Sequence, residues 1–373
     1  MARVLYISQG YSTHDRRFLE RLRGSGHEVW FLPCGRDPVR YEPRPVPVGV
    51  KALPPLREGP SRGPLRDAWI SVPRLRAHVR RIRPQVIHAG PVQTGAFFCA
   101  LAGCRPLLVM SWGSDVLVTP ERSRWLRWVT RYTLRRAERV LTDCAAVRER
   151  VAALSGFPPE RIVTLPYGID LSAYEESAPR LGLRDRLGWQ GCRILISIRS
   201  LEPAHGAMVL LEALRRILPE LPDVRVLMLG DGTLRREIEA RVREEGLQER
   251  IHLGGQVAEE LLPAHFREAD LYVSAAFSDG TSVSLLGAMA AGLPVIVTDG
   301  PGNREWVSPG VNGWLTPPGD AEALAQALRE ALALEDSGRL RIGVSNSGEV
   351  RERADWGRNF GRLLEAYGEI IHA

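Results

Sequence analysis

A short polar run, Ser278-Asp279-Gly280-Thr281-Ser282, separates an apolar segment from a helical pattern that begins near Val283. At the start of a helix the backbone N–H groups have no partner within the helix, and the helix dipole is positive there. A diphosphate is therefore the natural ligand of this run. The structural alternative is that Thr281 or Ser282 only caps the helix.

Two further residues follow apolar runs in the same half of the chain. Arg199 comes just after the segment 193–197, and its guanidinium can pair with a phosphate through two parallel hydrogen bonds. Gly230 lies between a strand pattern and a helix pattern, where a glycine lets the backbone approach a nucleotide closely. A surface salt bridge for Arg199 and a tight turn at Gly230 are the structural alternatives.

Polar and aromatic residues also follow the apolar runs of the first half. They are expected on successive strand-end loops that face one cleft, and they comprise Gly10, His14, Asp15, His88, Trp112 and Asp115. This convergence predicts a site for an acceptor molecule. The alternatives are that His14 and Asp15 form a turn and a helix cap, and that Trp112 forms an apolar wall.

Parallel strands are needed to position these loops, and the hydropathy pattern predicts them. Residues 3–8 form a short apolar run, apolar residues at helical spacing follow, and residues 27–32 return as a second strand pattern. A second series of this kind begins after residues 166–191. The sequence therefore predicts an α/β fold with two doubly wound, Rossmann-like domains. We expect them at residues 1–166 and 167–354, with a helix at 355–373 that packs back toward the first domain.

Length and composition fit two domains and exclude several classes of protein. A chain of 373 residues, 44% of them hydrophobic, is long enough for two cores. No apolar stretch approaches the ~20 residues of a membrane-spanning helix, so a cytoplasmic protein is expected. The five cysteines are scattered, without the paired spacing of a zinc site. The net charge of +6 is modest and comes without a recognised nucleic-acid motif, so no nucleic acid is expected as a partner.

A basic segment at residues 121–139 carries aromatic residues among its arginines. Trp125, Trp128 and Tyr132 lie there at helical spacing. Such a pattern can rest on an anionic membrane surface, which would bring the protein to the inner face of a membrane. The alternative is a solvated helix face whose aromatic side chains pack inward.

The segment from Ser278 to Ile296 resembles the donor-site signature of glycosyltransferase family 4, including its closing Gly292-Leu293-Pro294-Val295. Ile198-Arg199 and His205-Gly206 are similar to the arginine and lysine-glycine phosphate site of that family. In the first half, Trp112-Gly113-Ser114-Asp115 falls in a family-like place. The resemblance spans nearly the whole chain. It implies the GT-B fold, in which two Rossmann-like domains face each other across a cleft.

The resemblance also implies a retaining transferase that moves a sugar from a nucleoside-diphosphate sugar to an acceptor hydroxyl. Arg199 would bind the diphosphate, the backbone of residues 280–282 would hold the sugar and distal phosphate, and Asp279 would contact sugar hydroxyls. Asp115 would orient the acceptor, which is a small molecule, a saccharide or a lipid-linked compound. The other implied donor residues are His205, Gly230, Val283 and Gly287. Because the leaving diphosphate would help deprotonate the acceptor, we expect no enzyme nucleophile. The sequence has no visible cluster of metal ligands, so we also expect no metal and no further cofactor.

Two departures from the family pattern favour an alternative, a catalytically degenerate relative that binds a sugar or a protein. Gly287 stands where the family's second glutamate binds the ribose, and the phosphate lysine is replaced by Ala204 or His205. Restoring glutamate at position 287 is expected to stabilise the helix by up to about 1 kcal/mol and to tighten donor binding, provided that the side chain has room. A crowded site would give the opposite result.

Overall fold

The computed structural model describes residues 1–35, 42–59, 64–175 and 181–372 of the chain. Contacts between residues divide the chain into two compact units. The first comprises Met1–Leu165 and Arg358–Ala373, and the second comprises Pro166–Gly357. No helix within the described ranges is both long and apolar enough to cross a membrane.

The first unit is built on a seven-stranded sheet. Its strands are β1 (Arg3–Ser8), β2 (Glu28–Pro33), β3 (Lys51–Ala52), β4 (Val86–Ala89), β5 (Leu107–Met110), β6 (Arg139–Thr142) and β7 (Ile162–Thr164). They lie in the order β3-β2-β1-β4-β5-β6-β7, and all neighbours are parallel. The helices that alternate with them are α1 (Thr13–Arg23), α2 (Pro64–Ile82), α3 (Gly95–Ala102), α4 (Ser114–Leu117), α5 (Arg124–Leu134) and α6 (Ala145–Ser155).

The second unit repeats this architecture with six parallel strands. They are β8 (Arg193–Ile198), β9 (Val224–Leu229), β10 (Ile251–Gly255), β11 (Leu271–Ser274), β12 (Val295–Thr298) and β13 (Gly313–Thr316), in the order β10-β9-β8-β11-β12-β13. The helices are α7 (Leu183–Arg186), α8 (Ala207–Ile217), α9 (Arg235–Glu244), α10 (Leu262–Arg267), α11 (Val283–Ala290), α12 (Ala321–Leu332) and α13 (Asp336–Arg353). One more helix, α14 (Trp356–His372), lies mostly in the first unit.

The strand order of each sheet identifies one place where a ligand is expected. All residues of β4, β5 and β12 are buried, as in parallel strands covered by helices on both faces. Each order reverses once, between β1 and β4 in the first sheet and between β8 and β11 in the second. Ligands of open parallel sheets bind beyond the carboxyl ends of the strands at such a reversal. The prediction of two Rossmann-like domains is confirmed.

Aromatic contacts attach α14 to the first unit. The hydroxyl of Tyr367 on α14 lies 2.6 Å from Nδ1 of His88 in β4, and both side chains are fully buried. The rings of Tyr6 and Phe18 pack edge-on against the same imidazole, at centroid distances of 5.0 and 5.6 Å. Phe360 of α14 also contacts Phe18 of α1. These rings hold α14 against β1, β4 and α1.

Candidate functional site

Arg199 lies where the strand order of the second sheet reverses. It follows β8 directly, and its guanidinium forms an ion pair with Asp279 in the loop after β11. Nη1 also donates a hydrogen bond to Oγ of Ser282 over 3.1 Å. Nε is buried and has no hydrogen-bond partner within the described residues. Because a buried donor without a partner is costly, this arrangement favours an anion as a further partner of Arg199.

Ser282 joins the Arg199 loop to helix α11. Its backbone is extended, with φ −74° and ψ 117°, and its hydroxyl accepts a hydrogen bond from the amide of Leu285. Ser282 is therefore the N-cap of α11, and Thr281 beside it is also buried. The helix-cap alternative is thus present in the same loop as the predicted phosphate site. Contact of this loop with a phosphate stays a prediction.

Two glycines allow the loops around this site to pack closely. Gly230 has φ of 138°, and a Cβ there would lie 2.0 Å from the carbonyl oxygen of Arg199. A Cβ at Gly302 would lie 2.2 Å from the carbonyl oxygen of Gly280. Both distances are far below van der Waals contact, so a side chain would displace the Arg199 loop or the Gly280 loop. Gly230 therefore supports the Arg199 loop, and its contact with a nucleotide stays a prediction.

His205 lies close to the same loop. Its Nδ1 is 2.6 Å from Oγ of Ser200 and 3.0 Å from the carbonyl oxygen of the same residue. The next residue, Gly206, has φ of 66°, and a Cβ there would meet the carbonyl oxygen of Ala275 at 2.0 Å. The ring is therefore held beside the residue that follows Arg199. Its action on a diphosphate stays a prediction.

Gly287 lies on α11 at a position without room for a side chain. A Cβ there would lie 2.6 Å from Oη of Tyr174 and 2.7 Å from Cε2 of Phe266. Tyr174 and Phe266 also pack against each other, with ring centroids 6.4 Å apart. The structure therefore favours the crowded outcome for a glutamate at position 287. Sequence reasoning missed Tyr174, because no local pattern connects it to α11.

Two of the predicted acceptor residues use their carboxylates within the first unit. Asp15 is 1% exposed and accepts hydrogen bonds from the amide of Ser12 at 2.8 Å and from the hydroxyl of Tyr6 at 3.0 Å. Asp115 is 6% exposed and accepts from Oγ of Ser111 at 2.8 Å and from two amides. Burial raises the pKa of both carboxyls, although these hydrogen bonds act in the opposite direction. The structure therefore agrees with the alternative that Asp15 belongs to the cap of a helix, because its carboxylate binds the amide of Ser12.

His88 differs from the prediction of a strand-end loop. It lies inside β4, with no exposed surface, and its Nδ1 is bonded to Tyr367. Burial lowers the pKa of the imidazole to about 3, so the ring is neutral at physiological pH. Its Nε2 has no hydrogen-bond partner in the described part of the chain. His88 is therefore a core residue that holds α14, and the prediction that it faces an acceptor cleft is wrong.

His14 and Trp112 keep accessible surface at the carboxyl ends of the strands. Their rings meet edge to face, with centroids 5.2 Å apart and an interplanar angle of 67°. His14 is at the start of α1 and Trp112 follows β5, while Gly10 is buried in the loop after β1. Among the predicted acceptor residues these two rings have the most accessible surface, and their contact with an acceptor stays a prediction.

Side chains that could coordinate a metal ion do not cluster in the described ranges. No group of three or more His, Cys, Asp or Glu residues there has the required proximity. All five cysteines are free thiols, and four of them are buried.

Two family models match the chain, one in each half. The model described as glycosyl transferase 4-like domain matches residues 9–168, and the model described as glycosyl transferases group 1 matches residues 183–346. Phosphatidyl-myo-inositol mannosyltransferase of Mycolicibacterium smegmatis is 27% identical over 378 residues, which cover 98% of this chain and 92% of the relative.

Solved structures of similar fold cover the chain almost completely. HepE of Anabaena, in complex with UDP, superposes with a TM-score of 0.77 at 20% identity, covering 98% of this chain and 100% of that one. Sucrose-phosphate synthase of Thermosynechococcus elongatus superposes with a TM-score of 0.81 at 20% identity, covering 100% of both chains. These proteins share the fold of both units.

Proposed function

We propose that the donor of this chain is a nucleoside-diphosphate sugar bound beside α11. The chain belongs to family 4 of the GT-B glycosyltransferases and is an enzyme that transfers sugars. The observation that carries this proposal is the Arg199 guanidinium, which has an unused buried donor next to the N-cap of α11. A diphosphate there would accept hydrogen bonds from Arg199 and from the amides of residues 280–282. HepE has been solved with UDP-glucose as well as UDP, which supports this class of donor.

The proposed reaction proceeds with retention and without a protein nucleophile. The bond between the sugar and the diphosphate breaks while a phosphate oxygen takes the proton of the acceptor hydroxyl, which then bonds to the sugar carbon. The leaving group gains negative charge in this step, and Arg199, His205 and the loop amides would stabilise it. Asp279 would contact sugar hydroxyls through the carboxylate that pairs with Arg199 in this structure. We propose that no metal or other cofactor takes part.

The acceptor is proposed to bind near His14 and Trp112. A half-buried indole and a half-buried imidazole suit a hydroxyl-bearing molecule, since the ring of Trp112 offers apolar surface and the ring of His14 has hydrogen-bonding nitrogens. The mannosyltransferase relative acts, by its name, on a phosphatidylinositol. This supports a lipid-linked acceptor among the three classes that the sequence leaves open.

Calorimetric titration with uridine, guanosine and adenosine diphosphates tests the donor site and identifies the base. We expect Arg199→Ala to weaken binding of the preferred nucleotide by about 1.5 to 3 kcal/mol, the range for hydrogen bonds to charged groups. Arg193→Ala is the matched control, because Arg193 begins the same strand and pairs with Asp223 instead. Equal affinity of the Arg199 variant and the parent would remove Arg199 from the site, and a parent that binds no nucleotide would refute the donor class.

The rival function is a degenerate relative that binds sugars or proteins without transfer. Gly287, which stands in place of the family's glutamate, and the missing phosphate lysine are the observations behind it. Slow release of nucleoside diphosphate from the preferred nucleotide-sugar, with water as acceptor, distinguishes the two functions. A preparation that binds the nucleotide-sugar but never cleaves it would support the rival.

A further inference from the structure

Helix α5 carries a row of stacked aromatic rings on the surface of the first unit. Trp125 stacks on Trp128 with centroids 4.9 Å apart, and Trp128 stacks on Tyr132 with centroids 5.2 Å apart. Trp125 and Trp128 remain 39% and 47% exposed. The alternative of inward-packing aromatics therefore fails for the two tryptophans, which stay on the surface of the helix.

Arginines surround these rings. A shallow concavity of about 520 Å³ on α5 is lined only by arginine and aromatic residues, namely Arg124, Arg127, Trp128, Arg131, Tyr132, Arg135 and Arg136. Arg127 pairs with Glu121, and Arg136 lies over the ring of Tyr132 at 4.8 Å. Arg124 and Arg131 have no acidic partner within the residues that the structure describes. The α5 surface, defined by these seven residues and Trp125, is thus strongly positive.

Helix α2, which shares the contact with α3, also carries exposed apolar side chains. Both α2 and α5 pack against α3, so they lie on the same face of the first sheet. On α2, Trp69 is 84% exposed and Ile70 is 48% exposed. Large exposed apolar side chains of this kind indicate an interaction surface.

We infer that the α5 surface docks on an anionic lipid bilayer. Tryptophan and tyrosine side chains are favoured at the headgroup level of a bilayer, and arginines attract and hydrogen-bond to lipid phosphates. Nucleic acid fits less well, because bases stack on free ring faces, whereas the ring of Trp128 is already stacked with those of Trp125 and Tyr132. Docking of the α5 surface on a bilayer requires no nucleotide-sugar, so it is independent of the proposed sugar transfer.

Co-sedimentation with vesicles of phosphatidylcholine, with and without phosphatidylglycerol, tests this inference. The parent is expected to bind the phosphatidylglycerol vesicles at low salt and to be released as salt rises. Arg124→Ala with Arg131→Ala should weaken this binding roughly 30-fold, from about fivefold per arginine. Trp125→Ala should also weaken vesicle binding. It should in addition lower the fraction of protein that stays bound to the vesicles at high salt.

The matched control removes two arginines elsewhere. Arg241→Ala with Arg243→Ala, on the exposed side of α9, changes the net charge by the same amount and should leave vesicle binding nearly unchanged. Equal losses in both double variants, no binding by the parent at low salt, or tighter binding to single-stranded DNA than to vesicles would each overturn the inference. Nucleotide titration of the same variants distinguishes a failure of the donor site from a failure of membrane docking, since Arg199 and residues 278–282 are unchanged in all of them.

Discussion

Replacing Gly287 by alanine tests the crowding that the structure contains at α11. The added methyl group would lie 2.6 Å from Oη of Tyr174 and 2.7 Å from the ring of Phe266, so both rings must shift. Overpacking of this kind costs about 1 to 3 kcal/mol. Alanine gains about 1 kcal/mol over glycine inside a helix. We therefore expect Gly287→Ala to lower the free energy of unfolding by about 0 to 2 kcal/mol.

Gly348→Ala is the matched control in the same unit. Gly348 lies inside helix α13, is itself exposed, and a Cβ there meets nothing within 4 Å. This variant should gain roughly 0.5 to 1 kcal/mol from helix propensity alone. Urea unfolding of the parent and both variants should separate the two variants by about 0.5 to 3 kcal/mol. An equal gain at both positions would refute the crowding argument.

Gly287→Glu extends the same test to the donor site. The longer side chain brings a carboxylate into the space between Tyr174 and Phe266, where it meets an aromatic ring instead of water. We expect lower stability than for the alanine variant, and weaker donor binding than in the parent. Tighter nucleotide binding by a fully folded Gly287→Glu protein would show that Tyr174 gives way easily. It would also support a ribose pocket of the ordinary family type.

Three further predictions concern the buried histidine, the metal and the acceptor. Because burial lowers the folded-state pKa of His88 to about 3, the unfolded chain takes up a proton below about pH 6.5 and stability falls as the pH drops from 6.5 toward 3. Urea midpoints at pH 7 and pH 5 should reveal an extra loss of about 2 kcal/mol in the parent relative to His88→Gln, and equal losses would contradict it. Sugar transfer should be unchanged by EDTA; a loss that Mg²⁺ restores would refute the metal-free mechanism. His14→Ala should raise KM for the acceptor while slow hydrolysis of the donor continues at the parent rate, and a parallel fall in hydrolysis would remove His14 from the acceptor site.

The sequence predicts features whose determinants are close together in the chain. The N-terminus of α11 is one example, because a polar run with Gly280 ends directly at the helical pattern. Ser282 caps this helix, as the helix-cap alternative predicts. The position of Arg199 at the end of an apolar run was sufficient to predict its place beyond a strand end, whereas the reversal of strand order there is known only from the structure. Such local signals predict which loops form the site.

Contacts between distant parts of the chain could not be predicted in this way. Every residue of β4 is buried, so the strand has no alternation that would mark His88 as inward-facing, and its partner Tyr367 lies on the last helix. Tyr174 is equally remote from Gly287 in sequence. In α5 the helical spacing predicts an amphipathic helix, but in the structure Trp125 and Trp128 stack on each other and remain exposed. Tertiary packing decides each of these cases.

The attachment of α14 has a consequence for synthesis on the ribosome. Residues 166–357 of the second unit are translated between β7 and the part of α14 that belongs to the first unit. At 5 to 20 residues per second, this interval lasts roughly 10 to 40 s. Throughout it, the nascent first unit exposes the Phe18 and His88 surface that Phe360 and Tyr367 later cover. The second unit is thus, in order of translation, an insertion that delays completion of the first, and this exposed face is where a chaperone would act.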